Sequence, residues 1–304
     1  MKRDSLALAV RAYIVRQDRR SGRRSKPTKK LDRWPRSVLV FDTETTVDAA
    51  QQLQFGSYRY CRWTETGELS CAREGLFYAD DLPRRDKAGH GRLRVYASAQ
   101  RAEVAPGGDP QLHLHSRAAF VETVLWPALK ARALIVGFNL PFDLTRLATR
   151  CGEARGRSHG GFSLRLWDNP SSGRREHPYR PRIVIVQLDS RRAFIGLTRR
   201  AKADATDLVV GRGRFLDLRT LAFALTDESY SLERACEAFH VAHGKSQAPP
   251  HGLITAAYID YNRRDVLATS ELLVELRREF DRHPLELDPC KAYSPASLAK
   301  GYLR

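Results

Sequence analysis

The chain lacks the cysteine spacing of a metal-binding or disulfide-stapled scaffold. Its five cysteines, Cys61, Cys71, Cys151, Cys236 and Cys290, are odd in number and include no C-x-x-C pair. That argues against structural zinc and for a reducing compartment. The apolar runs are all far too short to span a bilayer. Near the start, Leu6 to Val10 is followed by Arg11 and a basic stretch, the wrong order for a secretory signal. The expectation is a cytoplasmic protein without a membrane partner. A phosphate loop is also missing, because Gly211-Arg212-Gly213-Arg214 has neither the required spacing nor the Lys-Ser/Thr pair. Acidic residues are scarce beside basic ones, 35 against 52, for a net charge of +17. Such an excess points to a polyanionic partner, and nucleic acid is favoured over a membrane surface because no amphipathic anchor accompanies it. The plain alternative is a solvated Arg-rich surface.

What is present starts with enough apolar material for a core, 42% of 304 residues. Residues 1–36 read as a basic arm: Arg16 to Lys30 carries eight positive side chains against the single Asp18. Such a run is either a solvated arm or one that follows phosphates. The next stretch, SVLVFDTETT from Ser37 to Thr46, is the most informative. Val38 to Phe41 form a buried strand, and the alternation of strand side chains puts Asp42 and Glu44 on one face. Two anions so placed repel each other unless a cation lies between them, and hard carboxylate oxygens favour Mg²⁺ or Mn²⁺.

Further along, Phe55 to Trp63 and Leu76 to Tyr78 read as strands of a meander, and Asp80 to Pro110 as a long surface connection. Ser116 to Lys130 has helical spacing with a stop or kink at Pro127, and His113 and His115 before it read as surface residues. Leu134 to Val136 form a second buried strand, Gly137 permits close approach, and Asn139-Leu140-Pro141 opens a helix that holds Asp143 in its first turn. Cys151 to Arg182 reads as an excursion, followed by a hairpin from Ile183 to Arg200. Trp167, Tyr179 or Phe194 offer a stacking face along this groove wall. Arg214 to Leu225 passes from strand to helix, and Ser231 caps a helix within Ser229 to Phe239. His240, His243 and His251 are too loosely spaced for zinc. Tyr258 to Phe280 is the strongest helix, and Tyr261 and Asp265, four apart, project from the same face.

In this order FDTET, GFNLPFD and YNRRD resemble the three motifs of the tyrosine type of the DEDD 3′→5′ exonuclease superfamily, closest to the proofreading domain of family B DNA polymerases. FLDLRTLAFAL and SYSLERACEAF add to the likeness, which covers about residues 37 to 280. The histidine subtype places His five residues before the last acid, where this chain has Asp260; Tyr261 has the tyrosine spacing. The resemblance implies an α/β, RNase H-like domain over residues 37–284, with a mixed sheet of about five strands, helices on both faces and the acids near one sheet edge. It implies that Asp42, Glu44 and Asp265 bind two divalent ions, Mg²⁺ or Mn²⁺, that Asp143 helps hold the second through water, and that Tyr261 orients the attacking water. The implied activity is hydrolysis at the 3′ ends of single-stranded DNA. Residues 285–304 resemble an exonuclease–polymerase junction, which implies a polymerase region beyond it, a polymerase partner, or a free-standing derivative of such a parent. Two alternatives stand beside this reading. Lys245-Ser246-Gln247 is faintly similar to RNA-trimming members, and a module that binds nucleic acid without cleaving it would need none of the acids.

Overall fold

In the computed structural model the described residues are 33–169, 176–198, 213–244 and 251–302. The basic run Arg16 to Lys30, Gly211-Arg212 and Lys245-Ser246-Gln247 lie outside them. Among the described residues the strands are, in chain order, β1 (Ser37–Thr45), β2 (Leu53–Trp63), β3 (Leu69–Tyr78), β4 (His113–Ser116), β5 (Leu134–Gly137), β6 (Arg150–Glu153), β7 (Phe162–Arg165), β8 (Ile183–Gln187), β9 (Ala193–Leu197) and β10 (Phe215–Asp217). Six of them make one sheet in the order β10-β5-β1-β2-β3-β4. β1, β2 and β3 pair antiparallel, while β5 runs parallel to β1, β10 to β5 and β4 to β3. The protein is therefore α/β with a mixed sheet.

The alternation along β1 organises two cores. Leu39 and Phe41 pack with Phe120, Leu140 and Leu144, and Val38 and Val40 pack with Leu216, Leu221, Val266 and Leu273. Burying each such side chain contributes about 1.5–3 kcal/mol. Helices α1 (Lys87–Ala99) and α2 (Leu140–Leu147) contribute to the first cluster. Helices α3 (Leu218–Thr226), α4 (Leu232–Ala238), α5 (Ala256–Asp281) and α6 (Pro295–Tyr302) contribute to the second. Both ends of the described chain join that second cluster. Trp34 packs edge-on to Trp63 and Phe280 and donates to Asp281 Oδ1 at 3.0 Å, and Leu285, Ala292 and Leu298 are buried in it. Among the described residues no helix is long and apolar enough to cross a membrane.

Several expectations need correction. The main sheet has six strands where about five were expected, and Asp42 and Glu44 sit at the carboxyl end of β1, which is third in the order. The Asp80 to Pro110 connection contains α1, whose Gly89 and Gly91 hide the helical pattern although Asp86 caps it at Gly89 N. The Cys151 to Arg182 excursion contains β6 and β7, which pair with the β8–β9 hairpin into a second, four-stranded antiparallel sheet. β6 is exposed along its whole length, so no alternation marks it. From Arg117 to Lys130 the backbone stays helical, and a π-helical stretch, Val121–Leu125, precedes Pro127. The wider turn accommodates a residue that lacks an N–H and crowds the preceding carbonyl. His113 and His115 are half-buried rather than surface residues; His115 Nε2 lies 3.1 Å from Tyr58 Oη, and burial pushes its imidazole down to about 4.

One buried ion pair fixes how α5 sits on the sheet. Arg263 donates from Nε and Nη2 to the two oxygens of Glu74 on β3, at 2.8 and 3.0 Å, and from Nη1 to Tyr96 Oη at 2.9 Å. Tyr96 in turn bonds Asp260. Glu74 and Arg263 are 1% and 8% exposed, so either charge left alone would be costly. Arg263→Leu is expected to cost about 3–5 kcal/mol in urea unfolding, and Glu74→Leu added to it to restore part of that, the rest being withheld because the buried Arg59, 3.8 Å from Glu74 Oε2, loses a carboxylate as well. A double variant as unstable as the single one would contradict this account.

Candidate active site

β1 runs out of apolar residues after Phe41, and its alternation carries Asp42 and Glu44 onto the face of Val38 and Val40, beneath α5. Helix α5 is started by Thr255, whose Oγ1 accepts from Tyr258 N at 3.2 Å. Tyr258, Tyr261, Asn262 and Asp265 then fall at i, i+3, i+4 and i+7, one stripe of the helix. The stripe meets the strand acids directly. Tyr258 Oη donates to Glu44 Oε2 at 2.5 Å, and Asn262 Nδ2 donates to Asp42 Oδ2 at 2.7 Å and to Glu44 Oε1 at 3.4 Å. Tyr261 bonds the Asp265 carboxylate and feels the charges of Glu44 and Asp42. Burial first, and then these anions, hold both tyrosine hydroxyls well above the usual phenol range, so both stay protonated at neutral pH.

Asp143 arrives from the other side. Asn139 takes a left-handed conformation, φ 70°, and its side chain caps nothing, contrary to the expected Asn cap. The cap comes from Asp217 at the end of β10. Its Oδ1 accepts from Asn139 N at 2.8 Å and Leu140 N at 3.0 Å, and its Oδ2 accepts from Thr220 N and Thr220 Oγ1. One carboxylate thus starts both α2 and α3. Within α2, Asp143 is 2% exposed, and its Oδ1 accepts from Thr43 N at 3.2 Å and Thr43 Oγ1 at 2.7 Å. Thr43 has the opposite strand parity to its two acidic neighbours, so it ties Asp143 to β1 between them. Asp143 Oδ2 is buried without a hydrogen-bond partner. Desolvation, reinforced by the charges of Asp217 and Glu44 against the Thr43 bonds, raises this carboxyl well above the ordinary range.

The five residues expected from the sequence, Asp42, Glu44, Asp143, Tyr261 and Asp265, therefore gather around the carboxyl end of β1. Whether they suit divalent ions is decided by chemistry and occupancy. The donors are hard carboxylate oxygens, and Asp143 Oδ2 is a buried acceptor that a cation would satisfy. Among the described residues, however, no group of three or more His, Cys, Asp or Glu is placed to hold a metal ion. Tyr258 and Asn262 occupy carboxylate oxygens of Glu44 and Asp42, so a cation there competes with two internal donors.

Sequence reasoning passed over Tyr258, Asn262, Thr43 and Asp217. The first two were detectable as members, with Tyr261 and Asp265, of one i, i+3, i+4, i+7 stripe at the start of the helix, and Thr43 as a hydroxyl between two acids. Asp217 carried no such signal, because its role depends on which chain segments meet. His251, set aside as a zinc ligand, has its Nδ1 3.1 Å from Tyr258 Oη at the rim of this cluster. Of the expected stacking residues, Trp167 is buried against Trp126 and donates to Val121 O at 3.2 Å, so it offers no face. Tyr179 is exposed and Phe194 half-buried. Comparison with protein-family models finds no matching family, and comparison with curated proteins finds no match.

The raised Asp143 carboxyl has a pH signature. The folded chain keeps a proton there that the unfolded chain loses above about pH 3.9. This contribution to stability is complete below that pH and falls, by up to about 1.4 kcal/mol per unit, as pH rises toward the folded value. Asp143→Asn removes the charge and keeps an acceptor for Thr43. Its thermal midpoint is expected to exceed wild type at pH 7, with the difference vanishing toward pH 4. Equal midpoints at pH 7 would contradict the burial argument.

Proposed function

We propose that the chain is a metal-dependent 3′→5′ exonuclease with an RNase H-like fold, which hydrolyses the terminal phosphodiester of single-stranded DNA. The observation that carries this reading is the meeting of four acids and a protonated tyrosine, drawn from three distant segments, at the end of one buried strand. The six-stranded mixed sheet with helices on both faces supports the fold. The charge of +17 supports a nucleic-acid partner, and the cysteine usage supports a cytoplasmic setting. The motif order favours the proofreading part of a family B-like polymerase, with the polymerase as a further region or a partner.

Asp42, Glu44, Asp143 and Asp265 would hold two Mg²⁺ or Mn²⁺ ions. The chemistry such ions would supply when bound is a lowered pKa for a water and neutralisation of charge at the departing 3′ oxygen. The chain's own groups do the rest. Tyr261 stays neutral, so its hydroxyl orients a water without giving up its proton. Tyr258 and Asn262 hold Glu44 and Asp42 in fixed rotamers between turnovers. The ion pair of Arg263 with Glu74 keeps the α5 stripe in register with β1. A second reading, a nucleic-acid-binding module without catalysis, draws on the same two internal donors, which satisfy the strand acids in the absence of a metal.

End-labelled single-stranded DNA and RNA of one sequence, digested with Mg²⁺, Mn²⁺ or a chelator, separate these readings. The expected result is release of 5′-mononucleotides from DNA that stops on chelation. Asp42→Ala or Asp265→Ala is expected to lower the rate on the order of 10³-fold, the several kcal/mol of charge stabilisation supplied by the ions. Tyr261→Phe is expected to lower it by no more than on the order of 10²-fold. Faster digestion of RNA would make the chain an exoribonuclease. Binding without cleavage would favour the module, and an Asp42→Ala variant as fast as wild type would remove the assignment.

A further inference from the structure

Away from the acid cluster, β2 and β3 place two cysteines opposite each other. Cys61 and Cys71 are direct cross-strand partners, and the register shift just before Cys61 leaves Ala72 as the extra residue between the pairs Tyr60–Arg73 and Cys61–Cys71. Directly opposed residues of an antiparallel ladder have Cα atoms about 4.5–5.5 Å apart, within the span of a disulfide. Both thiols are free, the two residues are 1% and 5% exposed, and they share a hydrogen bond. They are not sealed in the core. Both line a cleft of about 280 Å³ between the β2–β3 hairpin and α5, together with Arg59, Glu68, His240 and Glu271.

We propose that Cys61 and Cys71 are a reversible dithiol–disulfide site, oxidised by small peroxides that enter this cleft. Cys71 is the more exposed of the two, 5% against 1%, and the Arg59 charge beside it favours its thiolate, so a peroxide in the cleft meets Cys71 first and Cys71 is the attacking sulfur. Its thiolate displaces hydroxide from hydrogen peroxide and becomes a sulfenic acid. The Cys61 sulfur then attacks that sulfur, an S–S bond forms, and the sulfenic oxygen leaves as water. Overall two thiols and one peroxide give one disulfide and two waters, and the two electrons pass to the peroxide oxygens. In a reducing compartment such a bond is transient and thiols restore it, as in redox sensing rather than structural stapling. The clip ties β2 to β3 where the bulge interrupts their ladder.

The test is peptide mapping of the full, pre-reduced chain after stoichiometric hydrogen peroxide, with free thiols alkylated and no reductant present. Trypsin cleaves after Arg62, so the two cysteines fall on separate peptides unless they are linked. The expected product is a linked pair lighter by two hydrogens, reversed by dithiothreitol. Cys151→Ser, which alters the exposed cysteine, should leave this product unchanged. Cys71→Ser should abolish it, and Cys61→Ser should leave a dimedone-reactive sulfenate on Cys71. Full alkylation of Cys61 and Cys71 after peroxide, or their appearance only in links to Cys151, would overturn the proposal. The wild-type map alone decides the matter if a serine variant fails to fold.

Discussion

Carboxylates gathered where a strand leaves the core repel one another, and the way this chain manages that repulsion shapes the rest of the molecule. Each acid has its own device. Glu44 takes a tyrosine hydroxyl, Asp42 a carboxamide, and Asp265 the tyrosine one turn before it on the helix. Asp143 takes a threonine on one oxygen, and burial raises its proton affinity on the other. Neutral donors suffice to fold the cluster, but they offset only part of the charge. The remainder is what a divalent ion would neutralise.

Strain of this kind needs firm supports, and the supports are themselves buried charges with full sets of partners. Asp217 accepts four hydrogen bonds and joins the starts of two helices to the end of β10. Its own carboxyl is raised by burial against those bonds. Glu74 and Arg263 lock α5 against β3. The Arg263–Glu74 pair contributes little net stability beside a well-packed apolar equivalent. The value of these supports is geometric: they fix the rotation of α5 and the entry of α2, and so decide where Tyr258, Asn262, Asp265 and Asp143 point.

The sequence made the acids legible because each follows a strong local pattern. Val38 to Phe41, Leu134 to Val136 and the apolar stripe of α5 are long or regular enough to reveal their type, and the acids sit at fixed offsets from them. Short elements were not legible. The four-residue strands β6 and β7 are defined by pairing with partners distant in sequence, and α1 buries only Gly89, Leu93 and Tyr96. The Asp217 cap, the Arg263–Glu74 pair and the Cys61–Cys71 register are likewise contacts between segments. A single chain of letters carries no periodicity that announces them.

In the proposed nuclease the cluster at the end of β1 exchanges its internal donors for cations. Anomalous scattering from crystals grown with Mn²⁺ measures this most directly. The account predicts manganese peaks bounded by Asp42, Glu44, Asp143 and Asp265, with the Tyr258 hydroxyl and the Asn262 carboxamide withdrawn from the carboxylates they hold in this structure. Crystals saturated with Mn²⁺ that show no peak there, with both donors still seated on Glu44 and Asp42, would contradict it.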